Sequence, residues 1–384
     1  MKVAVLGYGT VGAGVYSMLS DAPGMEAGPV LVRPGKAVES FMVSDAALIF
    51  GDPTVDAVVE TLGGLDPAYS YGMRALEAGK HFITANKAMV AAHGLELAAL
   101  AREKGAAFLF SAACGGGVPF LHNLALSAET DRIDAVSGIL NGTTNYMLDA
   151  MQRRSLSYGD ALREAQSLGY AESDPTADVS GLDALRKMQL ACAVAFGVLP
   201  QSGMLCEGME HFTAADVEDI QSRGLVCRLM ARGSRAGESV SAYVEPVLFP
   251  RAAPESSVFT NNNMASYTGK RCGSIVLMGQ GAGRFPTASA VLRDLSAAQQ
   301  GARSMFPENC RAAEADNRET VHSYYIRTGG FAAVRLPLRS VLAQGEVVRA
   351  VTEPMSAEKM HALAQNIRKD GNDLFFAALE EELC

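Results

Sequence analysis

The chain has 384 residues, which at about 150 residues per domain predicts two or three domains with ample room for a buried core. Hydrophobic residues make up 48% and charged residues 20% of the chain, a balance typical of globular proteins and not of disordered, collagen-like or coiled-coil sequences. The formal net charge is -9, and no basic run follows the spacing of a phosphate backbone, so a nucleic-acid partner is not expected.

The sequence also predicts the surroundings of the protein. No apolar stretch reaches the roughly 18 residues of a membrane span, and the apolar run at 3–6 is too short for a signal-peptide core. We therefore expect a cytoplasmic protein with no membrane partner. The seven cysteines are widely spaced and contain no C-x-x-C pair, which favours reduced thiols over a disulfide framework or a zinc site.

The first 130 residues alternate strand-like and helix-like patterns. A short apolar run at 2–6 leads into the turn Gly7-Tyr8-Gly9-Thr10-Val11-Gly12, and helical spacing follows. Further strands are predicted at 30–32, 57–62, 81–84 and 107–110, with helices at 67–78 and 94–103. This alternation predicts an α/β protein that begins with a doubly wound, Rossmann-type parallel sheet.

The pattern becomes mixed from about residue 133. We expect strands at 133–140, 239–248 and 273–278, and helices at 145–151, 158–168 and 182–196, which together indicate an α+β domain. A helix at 287–294 then returns the chain to the first domain. In the remainder, strands are expected at 322–327 and 347–352 and a helix at 356–367, while 373–379 fits either state; this region is expected to be a small C-terminal appendage.

The glycine turn predicts a dinucleotide site. Gly7 allows the tight turn, Gly9 allows close approach of a pyrophosphate, and Gly12 allows the helix to pack against the strand. The backbone N–H groups at the helix start, including those of Thr10 and Val11, would face the phosphates. A purely structural turn is the alternative, and the position of this turn between a strand and a helix argues against it.

The residue after the second strand predicts which dinucleotide is preferred. Arg33 stands there, and the segment that continues to Lys36 offers no carboxylate for the ribose hydroxyls. A cation at this point suits a 2′-phosphate, so NADP is favoured over NAD, by about 10- to 150-fold for one charge-assisted contact. The alternative is a solvated arginine on a loop, in which case NAD remains possible.

Six further motifs carry a family resemblance. They are VETLGG at 59–64, GKHFITANKA at 79–88, GGGVP at 115–119, GILNGTTNY at 138–146, GYAESDP at 169–175 and DVSGLDALRK at 178–187. Taken together and in this order, they resemble homoserine dehydrogenase from residue 1 to about residue 295. The resemblance implies reversible, NAD(P)H-dependent reduction of L-aspartate 4-semialdehyde to L-homoserine, a small-molecule reaction of threonine and methionine biosynthesis.

The resemblance also implies a division of the chain and an assembly. Residues 1–132, with 283–315 returning, would form the dinucleotide-binding domain, and residues 133–282 the substrate-binding and dimerisation domain of a homodimer. Residues 316–384 weakly resemble the ACT amino-acid-sensing module in the order of their elements, without its usual turn after the first strand. Feedback by threonine is the hypothesis that this similarity raises.

Lys187 is the candidate proton donor. Hydride transfer to an aldehyde builds negative charge on the carbonyl oxygen, which needs a cation or proton donor beside it. Lys187 lies four residues after Asp183 on a helix that continues as an almost wholly apolar run, and burial makes an ammonium group easier to deprotonate. From the residues alone, an exposed ion pair between these two side chains is the competing interpretation.

The family's other site residues match positions in this sequence. Lys87 follows the strand at 81–84, at the edge where open α/β sheets bind ligands, and the resemblance places it in the active site. Glu172 and Asp183 match the acids that hold the substrate ammonium group, with Gly169 and Tyr170 beside them. Gly281 matches the glycine that approaches the nicotinamide half of the cofactor.

One loop departs from the family. The carbonyls of Cys114, Gly116 and Val118 match a loop that holds a monovalent cation, but Ser111 stands where the family usually has Glu, so sodium binding is an open expectation. Cys114 itself admits a rival reaction, a phosphorylating semialdehyde dehydrogenase with a thioester intermediate, although no histidine partner is recognisable. The rival from another class is a sensor of the same fold that has lost catalysis, and retention of both Lys87 and Lys187 argues against it.

Overall fold

The computed structural model describes residues 1–380 and divides into two compact units. The first unit comprises Met1–Ile133, Gln189–Leu199 and Tyr267–Ala312, and the second comprises Asp134–Met188, Pro200–Ser266 and the chain from Ala313 onward. Residues 381–384, the end of the expected appendage and the position of Cys384, lie outside the described residues. The six cysteines within the described part of the chain are free thiols.

The elements up to residue 130 alternate as expected. They are β1 (Lys2–Leu6), α1 (Thr10–Leu19), β2 (Glu26–Leu31), β3 (Met42–Val43), α2 (Ala47–Phe50), β4 (Ala57–Glu60), α3 (Ala68–Glu77), β5 (His81–Thr84), α4 (Lys87–Lys104), β6 (Phe108–Leu109) and α5 (Phe120–Thr130).

The elements that follow are mixed in kind. They are β7 (Ile133–Ile139), α6 (Gly142–Arg154), α7 (Tyr158–Ser167), α8 (Thr176–Val179), α9 (Leu182–Phe196), β8 (Val198–Ser202), β9 (Leu205–Cys206), α10 (Ala214–Ser222), β10 (Leu225–Ala236), β11 (Ser239–Pro250), β12 (Asn262–Gly269), β13 (Gly273–Gln280), α11 (Arg284–Gln299), β14 (Arg311–Glu314), β15 (Val321–His322), β16 (Tyr324–Gly329), α12 (Gly330–Ala333), β17 (Leu338–Ala343), β18 (Val347–Thr352), β19 (Met355–Ser356), α13 (Ala357–Lys369) and β20 (Leu374–Leu379).

The first unit contains a six-stranded parallel sheet in the order β3-β2-β1-β4-β5-β6. This is the strand order of doubly wound dinucleotide-binding folds, and it confirms the predicted fold class. The central strands are buried along their length, as expected where helices cover both faces of a parallel sheet. Helix α11 packs on α1, where a Cβ on Gly14 would lie 3.2 Å from the Cβ of Ala288.

The connection between β2 and β3 is short. Residues 32–41 of the described chain form only turns, so this crossover lacks the helix that a complete doubly wound fold would carry. The far end of the connection is fixed in two ways: the Phe41 carbonyl accepts from the Val30 N–H at 2.8 Å, and the Phe41 ring stacks on Tyr16 with centroids 4.3 Å apart.

The second unit is built on a long sheet in which β12-β7-β10-β11-β20-β16-β18-β17 are neighbours in that order. Strands β10 and β11 form a twelve-residue antiparallel hairpin from Leu225 opposite Pro250 to Ala236 opposite Ser239. Strand β20 pairs in parallel with β11 and antiparallel with β16. Residues 316–380, for which the sequence predicts an appendage, therefore contribute strands to the sheet of the second unit.

Two segments differ from the sequence prediction for identifiable reasons. All six residues of β20 are buried, which decides the ambiguous stretch at 373–379 in favour of a strand. Strand β10 was not predicted because arginines interrupt its apolar pattern. Arg228 is nevertheless only 2% exposed, and its guanidinium donates to the carbonyls of Glu255, Cys227 and Ser256, so the strand buries a fully hydrogen-bonded charge.

Within residues 1–380, none of the helices combines the length and the apolar character needed to cross a membrane.

Candidate active site

The glycine turn forms the expected phosphate-binding geometry. Gly7 has a φ of 100°, which favours glycine, and its N–H donates to the Leu31 carbonyl at 2.9 Å. A Cβ on Gly12 would clash with the Gly7 carbonyl oxygen, while a Cβ on Gly9 would meet nothing within 4 Å. Helix α1 begins at Thr10 and no side chain caps it at Gly9, so its first N–H groups are suited to bind an anion.

A cavity of about 990 Å³ in the first unit opens beside this turn. Gly7 and Gly9 line it, and so do Arg33 and Lys36 from the connection after β2. Glu39 lines it as well, so one carboxylate stands among the two cations. The volume of the cavity and its position beside the glycine turn suit a dinucleotide.

Lys87 is the first residue of α4, directly after the carboxyl end of β5. The helix is capped by Asn86, whose Oδ1 accepts from the Met89 N–H at 3.1 Å. This cap fixes where the helix starts and hence where the backbone of Lys87 lies. The prediction of a helix from residue 94 missed these first turns.

Lys187 and Asp183 meet in the second unit as a largely buried pair. The Nζ of Lys187 lies 2.7 Å from Asp183 Oδ2 and donates to the Leu140 carbonyl at 2.6 Å. Both side chains are 12% exposed, so the exposed ion pair considered in the sequence analysis is not what the structure contains. An ammonium group held between a carboxylate and a carbonyl at the end of β7 can hold or release a proton at a defined position.

Two residues that were not predicted as site residues complete this cluster. The side-chain amide of Asn141 donates to Asp178 Oδ1 at 2.7 Å and to Asp183 Oδ2 at 3.0 Å, while its Oδ1 caps α6 by accepting from the Thr144 N–H. Burial raises the pKa of Asp178, and the hydrogen bond from Asn141 opposes that rise. The available sequence signal was the Asn-Gly-Thr-Thr-Asn segment within the motif at 138–146.

The predicted substrate loop lies between α7 and α8. Gly169 and Glu172 are exposed there, and Tyr170 is 39% exposed with its ring 5.1 Å from that of Tyr146. The Tyr170 carbonyl accepts from the Thr143 hydroxyl at 2.6 Å, which ties this loop to the start of α6. Glu172 thus lies on an exposed polar loop and not in the interior of an element.

The loop at 111–118 in the first unit is buried and tightly packed. Cys114 is fully buried, which disfavours its role as a nucleophile for an incoming substrate. A Cβ on Gly116 would lie 2.5 Å from the Gly281 carbonyl oxygen, so these two glycine segments touch. The Val118 carbonyl accepts from the Phe120 N–H at 2.8 Å, and Arg293 donates to the neighbouring Gly117 carbonyl at 3.4 Å.

Ser111, the residue that departs from the family, contacts a buried acid. Its N–H donates to Asp294 Oδ2 at 2.8 Å and its hydroxyl donates to Asp294 Oδ1. Asp294 is 1% exposed, and burial raises its pKa to about 7, against the effect of the hydrogen bonds from Ser111. Among the described residues, no group of three or more His, Cys, Asp or Glu side chains is arranged to hold a metal ion.

A dinucleotide-binding sheet in one unit and a buried lysine–carboxylate cluster in the other are features of dehydrogenases that act on small carbonyl compounds. Comparison with known proteins narrows this class. The family model for homoserine dehydrogenase matches residues 119–296, and the model for its NAD-binding domain matches residues 7–111. The chain belongs to the homoserine dehydrogenase family, as the sequence motifs indicated.

Individual relatives agree with this assignment. The chain is 37% identical over 319 residues to the homoserine dehydrogenase of a Synechocystis species, covering 77% of this chain and 72% of that protein. It is 38% identical over 314 residues to the enzyme of Corynebacterium glutamicum, covering 76% and 70%. The solved homoserine dehydrogenase of Thiobacillus denitrificans superposes with a TM-score of 0.87 at 29% identity, covering 99% of this chain and 98% of that one.

Proposed function

We propose that the protein reduces L-aspartate 4-semialdehyde to L-homoserine, reversibly, with NADPH preferred over NADH. The observation that carries this proposal is the buried Lys187 ammonium group, held by the Asp183 carboxylate and the Leu140 carbonyl. A reduced nicotinamide dinucleotide, when bound, supplies the hydride for the aldehyde carbon. Lys187 then gives its proton to the carbonyl oxygen, and it takes the hydroxyl proton of homoserine in the reverse direction.

Asp183 and Glu172 would bind the substrate ammonium group. Asp183 shares its Oδ2 between Lys187 and Asn141, so it can orient the proton donor beside the substrate. Glu172 stands on an exposed loop and would move toward the ammonium group when substrate enters. Gly169 and Tyr170 would shape this loop, which the Thr143 hydroxyl holds at Tyr170.

Lys87 and Arg33 would act on the cofactor side. Lys87 at the start of α4 would assist at the nicotinamide end, together with Gly281, and Arg33 and Lys36 would bind the 2′-phosphate of NADPH. Gly7, Gly9, Thr10, Val11 and Gly12 would hold the pyrophosphate. The support for NADPH is the pair of cations in the cavity after β2, and Glu39 in the same cavity works against it.

Several expectations from the sequence stay predictions. They are the assignment of residues 1–132 with 283–315 to the dinucleotide, of 133–282 to substrate and dimerisation, and of 316–384 to an ACT-like appendage, together with a homodimer and a cytoplasmic location. Sodium at the carbonyls of Cys114, Gly116 and Val118 also stays a prediction. Arg293 donates to the Gly117 carbonyl of the same loop, and a comparison of turnover in sodium and in choline tests whether the three carbonyls bind a cation.

The direct test is an assay of NADPH oxidation with L-aspartate 4-semialdehyde. We expect turnover that depends on both reagents and forms homoserine, with kcat/KM for NADPH at least 10-fold above that for NADH. Phosphate-dependent reduction of NADP by the semialdehyde would indicate the rival thioester reaction instead. Binding of dinucleotide with no turnover in either direction would contradict the proposed reaction and favour the sensor. A threonine titration in the same assay tests the ACT-like role.

A further inference from the structure

A buried carboxylate at the end of β4 has no part in the reaction as proposed above. Glu60 is the last residue of β4 and is 0% exposed. Its Oε1 accepts from the Leu62 N–H at 2.6 Å and from the Gly63 N–H at 3.2 Å, and its Oε2 accepts from the Thr84 hydroxyl at 2.6 Å. A buried carboxylate is costly unless donors surround it, and here three donors do so.

The contact with Thr84 continues to the start of α4. The Thr84 hydroxyl gives its proton to Glu60 and accepts from the Asn86 N–H at 2.9 Å. Asn86 in turn caps α4 through Met89 and donates its side-chain amide to the Gly64 carbonyl at 2.6 Å. We call Glu60, Thr84 and Asn86 the β4–α4 chain, because these hydrogen bonds join the turn after β4 to the first residues of α4.

The β4–α4 chain lies at the start of α4, where Lys87 is the first residue. Asn86 immediately precedes Lys87 and is 8% exposed, while Thr84 is 0% exposed. Gly63 and Gly64 have φ values of 75° and 74°, a turn that presents the Leu62 and Gly63 N–H groups to one carboxylate oxygen. The Asn86 N–H can only donate and the Glu60 carboxylate can only accept, so the Thr84 hydroxyl accepts from Asn86 and gives its proton to Glu60.

We propose that Glu60 is a positioning residue for catalysis, acting through Thr84 and Asn86 to set the location of Lys87. This inference rests on the proposed role of Lys87 in the reaction. Only an acceptor at both side-chain oxygens suits the three donors around Glu60. An amide whose nitrogen faced the Leu62 and Gly63 N–H groups would set donors against donors, and one whose nitrogen faced Thr84 would leave the Thr84 hydroxyl proton without its acceptor. The start of α4 would then shift, and a displacement of about 1 Å is enough to reduce turnover strongly.

The sharpest test changes Thr84, because two variants of this residue separate the effect of its hydroxyl group from the effect of its side-chain volume. Thr84→Val keeps the shape and removes the middle of the chain, whereas Thr84→Ser keeps the hydroxyl. We expect Thr84→Val to lower kcat by about 10- to 100-fold with the Kd for NADPH within threefold of wild type, and Thr84→Ser to retain kcat within threefold. Glu60→Gln should follow Thr84→Val if it folds, as judged by its thermal melting.

A double-mutant cycle identifies the residue that the chain positions. In a Lys87→Met background, Thr84→Val should lower kcat by less than threefold, since the group that it misplaces is already gone. A general structural defect would instead lower kcat by the same factor in both backgrounds, and this result would overturn the proposal. Wild-type kcat in Thr84→Val, or equal losses in Thr84→Val and Thr84→Ser, would also overturn it.

The wild-type enzyme keeps this test distinct from that of the proposed function. If wild type fails to turn over semialdehyde and NADPH, the proposed reaction is wrong and the positioning role falls with it. If wild type is active and Lys87→Met retains full kcat, Lys87 is not in the reaction, and only the part of the proposal that depends on it is overturned. Active wild type with unchanged Thr84→Val overturns the positioning role alone.

Discussion

The two candidate binding regions are built from different chemical groups. The glycine turn of the first unit, which we propose for the pyrophosphate, relies on backbone: the helix start after Gly9 and the close approach of Gly12 to Gly7. The lysine region of the second unit relies on charged side chains, with Lys187, Asp183 and Asn141 in mutual contact. A backbone site tolerates most side-chain changes except at glycine, whereas a side-chain site depends on each functional group.

Removal of the Lys187 amine should cause the largest loss of turnover, because the lysine region depends on its functional groups. Lys187→Met should lower kcat by about 10²- to 10⁴-fold in both directions, because the proton donor at the carbonyl oxygen is lost. The Kd for NADPH, measured by its own fluorescence since the chain has no tryptophan, should stay within threefold. Lys187→Arg is the matched control: it keeps the charge beside Asp183 but not the readily released proton, and full activity in it would refute proton transfer.

Replacement of Arg33 tests the cofactor side. Arg33→Ser should reduce the ratio of kcat/KM for NADPH over that for NADH by about 10- to 150-fold, since one charge-assisted contact with the 2′-phosphate is lost. The kcat with saturating NADPH should be unchanged. Lys36→Ser provides the comparison within the same loop, and an NADPH preference that survives both substitutions would remove these cations from the assignment.

The Asn141 side chain caps the backbone of α6 through its oxygen and contacts two carboxylates through its amide. Its variants therefore separate a backbone contact from side-chain contacts. Asn141→Asp keeps an oxygen that can cap α6 but replaces the amide donor with a third carboxylate beside Asp178 and Asp183. We expect about a 10-fold loss in kcat/KM for homoserine and a loss of stability, because the new carboxylate is buried beside two others. Asn141→Ala removes the cap as well and should cost about 1 kcal/mol of unfolding free energy. Wild-type kcat/KM in both variants would show that the amide donor has no part in the site.

Substitution of Asp294 should change the free energy of unfolding and leave turnover unchanged. Its pKa is raised to about 7 by burial, so the folded state keeps a proton that the unfolded state loses above about pH 4. The stabilisation is complete below that pH and is lost as the pH rises through about 7, with a slope of at most about 1.4 kcal/mol per pH unit. Urea unfolding of Asp294→Asn at pH 4.5 to 8 should show a flatter profile than wild type, with kcat within twofold.

The sequence predicted the parts of the molecule that follow from local pattern. The helix at 182–196 and the strand at 347–352 agree with the structure to the residue, and the glycine turn lies where the motif indicated. The long-range contacts of Glu60 and Asn141 were not accessible, because Thr84, Asp178 and Asp183 lie 24 to 42 residues away from them in the chain. Strand β10 was missed because a buried, hydrogen-bonded arginine reads as a surface residue in a hydrophobicity pattern.

In the short connection between β2 and β3, the residues that we propose to bind the coenzyme are different from the residue that anchors the connection to the domain. Arg33 and Lys36 lie on its turns and line the cavity. Phe41 anchors its far end, because its ring stacks on Tyr16 and its carbonyl accepts from the Val30 N–H. An exchange of residues 33–40 for another sequence would leave the anchoring stack and every sheet hydrogen bond in place. If Arg33 and Lys36 select the coenzyme as proposed, its choice can be redesigned by exchanging one surface segment without rebuilding the domain that carries it.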